Sequence, residues 1–173
     1  GLAVYNVPLS FVVEGPFNIA VLDAAVGEVV RRHSVLRSAF VIDSASGEVY
    51  QEVLDAKPWR TPLVDLSALG DEARRRAEVQ RIDDFEARRP FDLTSGRPLR
   101  AFVMRLDSGS YSLALTLHHI ATDGWSNQIL LSELTALYAA IVSRPTAAFE
   151  PLAPLPPLAP LTLQVVDLGA WEA

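Results

Sequence analysis

The residues with the clearest chemical capacity form the run His118-His119-Ile120-Ala121-Thr122-Asp123-Gly124. An imidazole has an unperturbed pKa of about 6.5, so at neutral pH it accepts a proton and passes it on, which suits attack by an amine on an acyl group. Asp123 is placed to order its surroundings through a charge-assisted hydrogen bond. The same residues also fit a plain turn, with two solvated histidines and an aspartate that caps the next helix. A His/His/Asp metal hydrolase is a third class, and it lacks a third ligand on a matching face.

Those side chains need elements to hold them. Alternation puts Tyr111, Leu113, Leu115 and Leu117 on one face of a strand, so His118 and His119 leave its end on opposite faces. Leu130, Leu134, Leu137, Tyr138 and Ile141 then share one side of a helix. The run thus joins a strand to a helix, and Gly124 is read as permitting an unusual dihedral or a close backbone approach at that corner.

Upstream, Tyr5 to Val13 has strand composition and Gly15-Pro16 ends it. Asn18 caps a helix to about His33, whose stripe is Ile19, Leu22, Val26, Val29, Val30 and His33. His33 on that stripe reads as a buried, hydrogen-bonded structural histidine. Leu36 to Ile42 and Glu48 to Val53 flank a polar loop ending in Gly47 and predict a hairpin that begins a meander. Asp71 to Arg89 predicts an exposed amphipathic helix, its Arg74-Arg75-Arg76 run interleaved with acids and solvated. Leu99 to Leu106 pairs with Tyr111 to His118 across a second turn. The sum is an α/β class: a mixed sheet flanked by helices.

Bulk properties narrow the partners. The 173 residues are half hydrophobic and carry a net charge of −6, which repels phosphate backbones and anionic lipid, so nucleic acid and membrane are not expected. With no cysteine there is no disulfide or thiolate metal site. The first residues lack both Met and a signal-peptide pattern, which reads as a cytoplasmic protein cut from a longer parent. Residues 145–162 are a proline-rich, extended connector that cannot form a membrane helix.

The run at 118–124 matches the HHxxxDG signature of nonribosomal peptide synthetase condensation domains, which are similar in fold to chloramphenicol acetyltransferase. Arg32-His33-Ser34-Val35-Leu36-Arg37-Ser38-Ala39-Phe40 fits the family's RHxxLRxxF motif at a helix-to-strand passage. Weaker likenesses are Tyr5-Asn6-Val7-Pro8, Arg89-Pro90-Phe91-Asp92-Leu93 with Pro98-Leu99, and Gln164 to Trp171. In the last, Asp167 and Trp171 are kept, whereas Val165, Leu168 and Gly169 depart from YxDYAxW. The family's Ser-x-Ala-Gln-x-Arg start motif and everything after Trp171 are missing, so residues 1–173 resemble an N-terminal subdomain, one half of a condensation domain.

The resemblance implies peptide-bond formation between aminoacyl or peptidyl thioesters on the phosphopantetheine arms of donor and acceptor carrier proteins. It implies no directly bound cofactor and no metal. Its partners are those carriers, a C-terminal condensation subdomain and neighbouring synthetase domains. It assigns His119 to the acceptor's α-amino group, by positioning with partial base character, because that amine has a pKa near 8 and is partly free at neutral pH. His118, Asp123 and Gly124 support the motif. Asp123 is expected to pair with an arginine of the second subdomain. Arg32 and Arg37 are either ordinary helix-end and strand-surface charges or braces of the motif loop, and Trp125 is a channel-lining candidate. A coenzyme A-dependent acyltransferase and an epimerization domain share the superfamily core; Trp125-Ser126 and the Arg32 to Phe40 string favour condensation, as the two histidines do over cyclization. A carrier-docking fragment without turnover is the non-enzymatic alternative.

Overall fold

The computed structural model describes residues 3–143. The proline-rich stretch 145–162 and the Gln164 to Trp171 string lie outside the described residues. After a short 3-10 turn the chain runs β1 (Asn6–Glu14), α1 (Ile19–Arg32), β2 (Ser38–Ile42), β3 (Val49–Val53), β4 (Leu63–Asp65), α2 (Glu72–Arg88), β5 (Leu99–Arg105), β6 (Ser110–His118) and α3 (Gly124–Val142). Asn18 caps α1 as its type predicts, its side chain accepting hydrogen bonds from the Ala20 and Val21 amides.

The main sheet has the order β1-β6-β5-β4. β1 and β5 flank β6 antiparallel, and β4 joins β5 in parallel, so the sheet is mixed as expected. The meander is not formed. β2 and β3 pair only with each other, Ser38 opposite Val53 and Ile42 opposite Val49, and make a separate two-stranded sheet. β3 is exposed along its whole length and buries neither face against the main sheet. Gly47 closes the hairpin at φ 76°, a conformation that favours glycine.

One face of the sheet carries the core. Leu22, Val26 and Val29 of α1 and Leu130, Leu134 and Leu137 of α3 pack with Leu99, Ala101 and Val103 of β5 and Leu113, Leu115 and Leu117 of β6. Each fully buried leucine here contributes about 1.5–3 kcal/mol, enough to hold both helices on the sheet. The opposite face of β6, with Ser112, Ala114 and Thr116, is buried too, and α2 crosses that side of β1 and β6. α2 itself has no buried residue, and Phe85 stays exposed, in keeping with a polar outer helix. Its charges pair along its own surface, Arg76 with Glu72 and Arg81 with Glu78.

Candidate active site

β6 ends at His118, which continues the alternation of Ser112, Ala114 and Thr116 and therefore points away from the leucine core. Its ring lies 5.8 Å from Phe91, edge-on, and 5.9 Å from Tyr5. Nδ1 accepts the Ile120 amide N–H at 3.1 Å, which leaves any ring proton on Nε2. Burial, followed by the neighbouring His119, holds the His118 imidazole below its ordinary pKa.

Other residues complete this socket. Arg100 stacks 3.8 Å over the Phe91 ring, pairs with Glu86 at 3.1 Å and donates to the Glu86 and Arg89 carbonyls. The Asn6 amide donates to the Ala87 and Arg89 carbonyls, tying the start of β1 to the end of α2. The sequence alone places neither Asn6 nor Phe91 beside the motif. A signal is nonetheless present, since both residues fall within the two weaker family likenesses, Tyr5 to Pro8 and Arg89 to Leu93.

His119 is the first residue of a 3-10 turn, His119–Ala121, and its side chain is exposed. Among the described residues its ring makes no hydrogen bond. The two histidines do leave the strand differently: one is locked into the protein, the other offered outward.

Asp123 is the N-cap of α3, accepting the Ser126 amide N–H at 2.7 Å, and this bond holds its carboxyl below the ordinary carboxylate range. Among the described residues it has no ion-pair partner, so the helix-cap reading is realised. Gly124 departs from expectation. As the first residue of α3 it has no positive φ, and a methyl group there would meet nothing within 4 Å. Helical geometry at that corner is open to any residue, so the unusual dihedral does not occur, and no described residue approaches the backbone closely there. Trp125 is 75% exposed, and Ile129, one turn on, and Ile120 are exposed as well, which gives the open side of the motif an apolar surface.

Arg32 and Arg37 separate. Arg32 reaches Glu133 of α3 at 3.3 Å, and His33 reaches the same carboxylate at 2.8 Å, half-buried and paired as its place on the stripe suggests. Arg37 turns the other way and donates to the Leu54 carbonyl at 2.6 Å, past the end of β3, with its Nε buried and unpaired among the described residues. Glu133 does not stand out in the sequence, because a glutamate on an exposed-looking helix position carries no local signal of a partner about 100 residues away. Among the described residues no three His, Cys, Asp or Glu side chains are grouped to hold a metal ion.

The mixed sheet flanked by helices is the fold of one half of a chloramphenicol acetyltransferase-like domain. Comparison with known proteins then specifies the family. The condensation-domain model matches residues 2–154. Phosphinothricin tripeptide synthetase PhsB of Streptomyces viridochromogenes is 41% identical over 173 residues, the whole chain and 14% of that protein. Chondramide synthase cmdD of Chondromyces crocatus is 37% identical over 169 residues, 97% of this chain and 4% of its own. The crystal structure of the X-domain from teicoplanin biosynthesis superposes with a TM-score of 0.80 at 28% identity, covering 97% of this chain and 33% of that one. That of the starter condensation domain of rhizomide synthetase gives 0.71 at 26%, over 82% and 34%. The chain belongs to the condensation-domain family of nonribosomal peptide synthetases. It spans about a third of the solved chains it matches and a small part of the curated synthetases.

Proposed function

We propose that residues 1–173 form the N-terminal, motif-bearing subdomain of a condensation domain that joins two carrier-bound substrates by an amide bond. The acceptor's α-amino nitrogen attacks the carbonyl of the donor thioester. The C–N bond forms, the C–S bond breaks, and the proton shed by the attacking nitrogen ends on the thiolate sulfur, so the donor's phosphopantetheine leaves as thiol. His119 holds the attacking amine and takes up part of that proton, which a free imidazole beside an amine of pKa near 8 is suited to do. The observation that carries this reading is the exposed, hydrogen-bond-free ring of His119 beside a His118 whose Nδ1 is engaged by Ile120.

His118 then keeps the turn in shape, Asp123 starts α3, and Trp125 with Ile120 and Ile129 lines the approach. Donor and acceptor carrier proteins, a second condensation subdomain and neighbouring synthetase domains are the partners, in the cytoplasm. No helix among the described residues is long and apolar enough to cross a membrane.

The test is condensation of two loaded carrier proteins by the full-length synthetase and by its His119→Ala variant. Loss of product with unchanged circular dichroism and melting supports the assignment, and undiminished product refutes it. Residues 1–173 alone are expected to turn over little, since they cover about a third of solved condensation-domain chains. Robust amide formation by them would overturn that part.

A further inference from the structure

α1 and α3 meet through aliphatic side chains, Leu22, Val26 and Val29 against Leu130, Leu134 and Leu137. Such contacts oppose separation strongly but are non-directional, so they define the axial setting of one helix on the other poorly. Polar bonds define it better, because they weaken steeply with distance and angle. Among the described residues, polar contacts join these helices at two places. At the start of α1 the Asn18 amide N–H donates to the Tyr138 hydroxyl at 2.8 Å. At its end Arg32 and His33 both grip Glu133, Arg32 through Nε and Nη2 at 3.4 and 3.3 Å, His33 through Nε2 at 2.8 Å.

We infer that Glu133 is a positioning residue for the proposed condensation chemistry: held by Arg32 and His33, it sets α3 along α1 and so sets the turn that presents His119. The inference rests on His119 acting as proposed above. Glu133 lies nine residues after Gly124 on one continuous helix, about 14 Å along its axis at 1.5 Å per residue. The Asp123 cap makes the first turn of α3 continuous with the motif, so an axial shift at Glu133 is passed to His119. The three side chains retain only 11–20% of their exposure, so water replaces the lost bonds poorly. Without the clamp, the leucine core still holds α3 on the sheet, but the Tyr138 contact alone is left to set its position along α1. A displacement on the order of 1 Å suffices to cost about 100-fold in a rate that depends on near-attack geometry.

The experiment compares Glu133→Gln, Arg32→Lys and His119→Ala in the full-length synthetase, measuring kcat and the KM for the loaded acceptor carrier, per folded protein. Glu133→Gln keeps the side chain's size and removes its charge. It is expected to lower kcat about 10- to 100-fold with KM within about twofold, since the binding surface is untouched. Arg32→Lys keeps the charge, loses the planar fork, and is expected to fold and to lose less of kcat. Lowered melting temperature with unchanged kcat in both variants would mean a merely structural clamp and would overturn the inference, even if Glu133→Gln proved hard to fold. His119→Ala separates the two claims. If it abolishes product while both clamp variants keep wild-type kcat, only the inference on Glu133 fails; if it leaves product intact, the reading of His119 fails first.

Discussion

His118 and Ile120 close a hydrogen bond across His119, Nδ1 accepting the Ile120 amide at 3.1 Å. This makes the turn a rigid loop with the intervening imidazole outside it, and it requires His118 to be unprotonated at Nδ1. Because the folded protein holds the His118 pKa below its ordinary value, the native state binds fewer protons than the unfolded chain just below about pH 6.5. The contribution of this group is complete above that pH and is lost as pH falls through it. Melting temperature should therefore drop by about 2 °C between pH 7 and pH 5 through this residue, a small figure because solvent still reaches the ring. His118→Gln should flatten that part of the curve. Equal slopes for the variant and the wild type would contradict it.

Asp123 offers a cleaner separation of structure from chemistry. Asp123→Asn retains an oxygen for the Ser126 amide and should melt within about 1 °C of wild type, whereas Asp123→Ala loses the cap and should melt about 2–4 °C lower. Differential scanning calorimetry decides this. If condensation by Asp123→Asn falls while its melting does not, the carboxylate charge has a role beyond the cap.

Asp83 on α2 is only partly hydrogen-bonded. One carboxylate oxygen accepts the Ser10 hydroxyl at 3.0 Å, while the other is buried without a partner among the described residues. Burial raises its pKa, so the folded state binds more protons than the unfolded chain, and stability is lost as pH rises from about 4 through the raised value. Asp83→Asn should raise the melting temperature at pH 7 by about 1–3 °C and lose that advantage near pH 4. A lower melting temperature at pH 7 would show that the charge is needed where it lies.

The features legible from the sequence share one property: their causes lie within a few residues. The Asn18 cap, the stripe of α1, the glycine turn at Gly47 and the placing of His118 and His119 at the end of a strand all follow from local periodicity and side-chain type. The cap role of Asp123 is legible on the same ground, as one of two open readings. Gly124 misleads because glycine only permits an unusual backbone and does not impose one.

From the sequence alone come the family, the α/β class and the turn on which the chemistry is proposed to rest. Tertiary packing settled which strands share a sheet, with β4 added in parallel to β5 and the β2–β3 hairpin left apart. It also settled which histidine is held and which is free, and that Glu133 ties Arg32 and His33 to α3. The cause is range. Periodicity and capping act over one or two turns of chain, whereas Phe91 beside His118, or Glu133 beside residues about 100 positions earlier, becomes a neighbour only when burial of the shared leucine core brings the helices together.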